Sequence, residues 1–165
     1  MRHRWPRIRV MVVDRQRLFR DAVEIALELR PLVQLVAAVS DISQAAENAR
    51  RSRADVALVT LDAGEEPAAD VIAAIRKERS NCRVIALLDD EDDLSQIASL
   101  IRRGAVGIVS RRCSSKELVS AIEMAHSGGA VLRASILKKL LVSAHRRSDA
   151  PIDVTEPSTR PATLP

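Results

Sequence analysis

The sequence predicts an α/β domain built on a parallel sheet that is covered on both faces by helices. Three observations carry this expectation. Five short runs are continuously apolar, the segments between them have helical period, and turn or cap residues stand at nearly every junction. At 165 residues, 47% hydrophobic and 29% charged, the chain suits one compact domain with a tail.

The first run, "IRVMVV" (8–13), reads as a strand. Beyond Asp14 follows "RLFRDAVEIALEL", in which Leu18, Ala22, Ile25 and Leu29 recur at helical spacing up to Pro31. A second strand, "VQLVAAV" (33–39), precedes a helix over "ISQAAENARRS" capped by Ser40 or Asp41. "DVALVTL" is the third strand. Its helix, "AADVIAAIRKER", follows an acidic loop and places Val71, Ile72 and Ile75 inward.

"CRVIALL" (82–88) is the fourth strand. The acidic run "DDEDD" (89–93) suits the positive end of a fourth helix, which Gly104 closes after Ile97, Leu100 and Ile101. "AVGIV" (105–109) is the fifth strand. Ser114 and Glu117 form a capping box for a fifth helix ending at Gly128 and Gly129, with His126 complementing its dipole. "LRASILKKLLVSAH" (132–145) predicts a sixth helix, and the polar, proline-bearing end predicts a disordered linker.

Composition excludes several functions. With only Trp5 and Phe19 as aromatics, a base-stacking nucleic-acid module is not expected. Cys82 and Cys113 have neither metal-site nor disulfide spacing, so no metal is expected there and a reducing cytoplasm fits. A Cys113 thiol beside Arg112 is read as incidental. No apolar run approaches the ~20 residues of a membrane span. The net charge of +4 includes the basic arm "RHRWPRIR".

Chemistry in open α/β sheets collects where buried strands end, and here the third strand ends in Thr60, Leu61 and Asp62. "IRVMVVDRQRLFRDAVEIAL", "ADVALVTLD" and above all "RRGAVGIVSRRCSSKELVSAIEMAHSGGAVL" resemble the receiver domain of bacterial response regulators, in the NarL/FixJ-like subfamily that carries a LuxR-type helix-turn-helix. The resemblance implies a flavodoxin-like (CheY-like), doubly wound five-stranded sheet of order 2-1-3-4-5 with an extra C-terminal helix. It also implies a receiver-like domain over 8–130 and the extra helix over 131–145, between the basic arm over 1–7 and the linker over 146–165 that the composition predicts. That linker would lead to a helix-turn-helix absent from these residues.

In the family, two acids after the first strand bind magnesium and an aspartate ending the third strand accepts a phosphoryl group. Carried across, Asp14 matches the first acid, but the second falls on Arg15 and the acceptor on Thr60. The switch hydroxyl falls on Leu88, the aromatic switch residue on Ile108 and the lysine on Arg111. A guanidinium cannot ligate a hard cation, and a neutral hydroxyl is no carboxylate nucleophile. A register moved by two residues would make Asp62 the acceptor, yet leaves Arg15 and Leu88 unexplained.

The expectation is therefore a degenerate, atypical receiver: not an enzyme, without a cofactor, and independent of phosphorylation. Asp14, Arg15, Thr60, Asp62, Asp89, Asp90 and Arg111 are expected at one sheet edge as an ion-pair cluster. The alternative is a small anionic ligand at Arg15, Asp62, Asp89 and Arg111, controlling dimerisation. Expected partners are a second copy and the protein's own DNA-binding domain, with DNA contacted only through that domain. The resemblance offers the first and fifth helices, or the fourth helix with the fifth strand, as the dimer surface.

Overall fold

The computed structural model describes residues 6–61, 67–89 and 93–148. The expectations that rest on Asp62 and Asp90, on residues 1–5 of the arm and on residues 149–165 lie outside these residues. Five parallel strands form one sheet: β1 (Ile8–Val13), β2 (Val33–Val39), β3 (Val56–Thr60), β4 (Arg83–Leu88) and β5 (Ala105–Ser110), in the order β2-β1-β3-β4-β5. Because side chains alternate along a strand, Val10 and Val12 enter one apolar layer while Met11 and Val13 enter the other. A strand buried on both faces must be apolar throughout, which is why the runs carry no polar break.

Two helices cover the first layer. Helices α1 (Arg17–Glu28) and α5 (Ser115–His126) bury Val23, Leu27, Leu118, Val119 and Ile122 against it. Over the second layer lie α2 (Ala45–Ser52), entered through a 3-10 turn at Ile42–Gln44, then α3 (Pro67–Glu78) and α4 (Leu94–Arg102). Asp41 is the cap of the 3-10 turn, accepting from the Ser43 N–H, and hydrogen bonds from the Ser43 hydroxyl and then its backbone N–H hold the carboxyl below the usual range. Asp93 caps α4, and Gly104, at φ +105°, follows its last residues in the left-handed conformation. The capping box at Ser114 and Glu117 is present in full.

Two expectations change. The apolar stripe of α1 is not its buried stripe: Leu18, Ile25 and Leu29 are 82%, 63% and 78% exposed, whereas Val23 and Leu27 face the sheet. Both sets have helical spacing, so the period fixes a helix without saying which face is covered. The last helix, α6, spans Ala134–Ser148 rather than 132–145, so the linker assignment fails at residues 146–148. Arg146 and Arg147 are good helix formers and suit the negative end of the helix dipole.

Before α6 the chain fastens itself to the open edge of β5. The Val131 N–H donates to the Val106 carbonyl at 2.9 Å, and the Ile108 N–H donates to the Val131 carbonyl at 2.8 Å. Then α6 buries Ile136, with Leu132 and Leu140 beside it, in the layer that contains Ile97, Leu100 and Ile108. The β5 edge and the adjoining α4 surface are thus partly covered by the chain itself.

Candidate functional site

Asp14 stands one residue beyond β1, where the sheet opens towards solvent, yet its side chain is only 2% exposed. Its Oδ1 accepts the Gln16 N–H at 2.7 Å, an Asx turn that reverses the chain into α1. Arg20 fastens the same turn, donating from Nη1 to the carbonyls of Asp14 (2.7 Å) and Arg15 (3.1 Å). The carboxylate is therefore fixed by local structure before any distant residue reaches it.

The distant residue is Arg111, one position beyond β5, held in register by its N–H to the Leu88 carbonyl at 2.9 Å. Its Nη2 lies 3.2 Å from Asp14 Oδ1 and 3.0 Å from Oδ2, and donates to Gln16 Oε1 at 3.0 Å. Nη1 stands 3.8 Å from Asp89, and the guanidinium lies 4.6 Å above the Phe19 ring centroid. A planar fork can meet several acceptors and stack on a ring at once, which a lysine ammonium does not do. A charge pair with extra hydrogen bonds offsets the desolvation of Asp14.

Beside this pair is a cavity of about 150 Å³ lined by Val13, Asp14, Arg15, Gln16, Ser40, Ile42, Thr60 and Arg111. Three of its lining residues carry buried atoms with no protein hydrogen-bond partner among the described residues: Asp14 Oδ2, Thr60 Oγ1 and Arg111 Nε. Oδ2 is at ion-pair distance from Arg111 but off line for a hydrogen bond. Arg15 lines the cavity, and its charge contributes to the lowered pKa of Asp41.

The cluster expected from the sequence thus assembles around Asp14, Arg15, Thr60, Asp89 and Arg111. Leu88 and Ile108 do not join it: both are buried apolar residues of the core, at 1% and 2% exposure. Gln16, Phe19, Arg20 and Ser40 were not foreseen. The signal for Gln16 was the polar residue two places beyond a turn aspartate; Phe19 and Ser40 depend on packing. Cys82 is buried, which pushes its thiol up to about 12, and Cys113 is half-buried.

A magnesium-type cation needs several oxygen donors in near-octahedral array. The Asp14 carboxylate is already engaged by Arg111 and Gln16, a guanidinium follows it at position 15, and Thr60 offers only a neutral oxygen. Among the described residues the donor set does not fit such a cation, and no three His, Cys, Asp or Glu side chains converge.

Comparison with known proteins agrees with this architecture. The chain is 26% identical over 136 residues to the transcriptional regulatory protein MctR of Rhizobium johnstonii, covering 82% of this chain and 63% of that relative. It is 29% identical over 146 residues to the transcriptional regulatory protein NarL of Mycobacterium tuberculosis, covering 88% and 67%. The solved signal receiver domain of NarL from Mycobacterium tuberculosis superposes with a TM-score of 0.68 at 28% identity, over 75% of this chain and 99% of that one. The chain thus spans about 60% of the length of several curated relatives. Residues 10–123 match the response regulator receiver domain family, and with the five-stranded order and the acid at the end of β1 they establish that this chain belongs to it.

Proposed function

We propose that this chain is the regulatory receiver of a cytoplasmic DNA-binding transcription regulator, that it works without aspartyl phosphorylation or magnesium, and that it acts by binding a second copy of itself. The observation that carries the first part is the Arg111–Asp14 pair, with Nη2 at 3.0 and 3.2 Å from the two carboxylate oxygens. It supplies from within the chain the positive charge that a metal would otherwise bring to Asp14. Among the described residues, a neutral threonine stands at the acceptor position ending β3, and the two switch positions that would read a phosphoryl group are the buried, apolar Leu88 and Ile108.

The exposed stripe of α1 supports self-association. Leu18, Ala22 and Ile25 of α1 and Leu29 at its C-cap repeat at alternating intervals of four and three, the spacing of a helix seam, and Leu32 in the turn that follows is 47% exposed. Single exposed leucines are ordinary, but Leu18, Ile25 and Leu29 together form an apolar row along that side of the helix, which marks a contact surface. The alternative surface at α4 and β5 is already occupied in part by Leu132, Ile136 and Leu140. That contrast favours α1 as the side of contact.

Sedimentation velocity without phosphodonor or metal tests this reading. The wild-type chain should dimerise with rising concentration, and L18E/I25E should remain monomeric at unchanged thermal stability. A wild-type monomer at every concentration overturns self-association. Intact mass after treatment with a small phosphodonor and magnesium tests the other half, since a phosphoryl adduct on any aspartate would refute phosphorylation independence.

A second reading, a small anion in the cavity, is favoured by the unpartnered Thr60 Oγ1 and Arg111 Nε and opposed by the carboxylate of Asp14 in the same wall. It requires ligand-dependent thermal stabilisation that R15A or R111A removes.

A further inference from the structure

From Met124 to Ser148 the chain contains no Asp or Glu, while it carries Arg133, Lys138, Lys139, Arg146 and Arg147 together with His126 and His145. Most of these cations belong to α6, which has no acidic residue at all. The rest of the fold mixes both signs: α1 alone carries Asp21, Glu24 and Glu28 beside its arginines. So long a stretch of one charge sign on an exposed element creates a positive field over that side of the molecule.

The orientation of α6 decides what that field can meet. At 100° per residue, Ile136, Leu140 and Ser143 lie on one side, and these are its buried or half-buried positions. Lys138, Lys139, Val142, His145 and Arg146 lie on a face turned away from the core, and all five are exposed. Lys138, Lys139 and Arg146 also line a groove of about 340 Å³ between α6 and Leu94, the first residue of α4. A helix that binds a lipid surface presents its widest apolar face to the bilayer, but here Ile136 and Leu140 are already spent on the receiver core. What remains outward is a cationic face formed by Lys138, Lys139, His145 and Arg146 around Val142, beside a separate exposed flank of Leu137 and Leu141 on the other side of the helix.

We propose that the outward face of α6 is a phosphate-contact surface for duplex DNA, sequence-independent and additional to any DNA-binding domain. The relatives are named as transcriptional regulators, and duplex DNA is the polyanion that this role brings against a cationic face. The cations would supply binding energy through counterion release without reading bases. This surface is separate from the α1 stripe, so it stands or falls apart from self-association. It revises the expectation that DNA is contacted only through another domain.

The experiment is fluorescence anisotropy of the full 165-residue chain with a labelled random-sequence duplex, titrated from low to moderate sodium chloride. The three lysine and arginine cations of this face predict a log–log salt slope of up to about −2.7. K138E/K139E should weaken binding roughly tenfold at low salt and flatten the slope by about 2, and R146E should flatten it by about 1. Circular dichroism should show both variants folded, and R2A/R4A/R7A in the amino-terminal arm should leave the α6-dependent loss intact. The inference is overturned by absence of binding at low salt, or by α6 variants that bind like wild type. Binding to anionic phosphatidylglycerol vesicles with the same dependence on α6, at equal or greater strength, overturns the assignment to DNA.

Discussion

Replacing Arg111 with alanine strands a carboxylate whose side chain is 2% exposed. Removing one partner from a buried pair costs about 3–5 kcal/mol, because the charge left behind is uncompensated. The lower end applies here: Arg111 is itself 12% exposed, and the adjoining cavity lets water reach Asp14 once the guanidinium is gone. Loss of the stacking on Phe19 at 4.6 Å adds about 0.5–1 kcal/mol. The expected loss is therefore ~3–4 kcal/mol, or roughly 10 °C in melting temperature for a domain of this size. Urea denaturation gives the free energy directly, provided the slope of the transition is unchanged.

The decisive comparison is a double-mutant cycle with Asp14→Asn. The amide keeps an oxygen for the Gln16 N–H but carries no charge, so R111A should be far less damaging in that background. A coupling energy of at least ~1.5 kcal/mol is expected for side chains in direct contact. Additive effects, or an R111A variant within ~0.5 kcal/mol of wild type, would refute the view that this pair holds the switch end of the sheet. R111K should fall between, since an ammonium keeps the charge and loses the fork.

Two further outcomes follow from the same physical reasoning. Thr60→Val replaces a buried hydroxyl that has no protein partner with an isostere, so it should be neutral or stabilising by up to ~1 kcal/mol; a clear destabilisation in thermal melts would mean the hydroxyl is bonded. Hydrogen bonds from the Ser114 backbone and side chain hold the Glu117 carboxyl below its ordinary pKa of ~4.3. Its contribution is thus present above that value and is lost as pH falls through the lower folded-state pKa. The stability difference between wild type and E117Q should shrink in that acid window, and a constant difference down to pH 3 would show that the capping box is not the source.

Much of the fold was legible because strand burial and helix capping are local or periodic. "DVALVT" could only be a two-sided buried strand, and S-x-x-E at 114–117 is a complete cap within four residues. The order of strands was implied by the family resemblance. What periodicity left undetermined was orientation: Leu18, Ile25 and Leu29 have the same spacing as a core stripe, and only the placement of α1 against α5 and the sheet turned them outward.

The site divides in the same way. Its residue types are a property of the sequence alone: an acid followed by arginine after β1, a threonine ending β3, and an arginine after β5 fix which chemistry is available. That Arg111 reaches Asp14 across 97 positions, stacks on Phe19 and leaves Thr60 Oγ1 facing a cavity was decided by tertiary structure. So was the burial of Leu88 and Ile108 away from that cavity, and the α6 strap over β5. Ion pairing and burial depend on distances between segments far apart in the chain, and those distances exist only once the sheet has set its register.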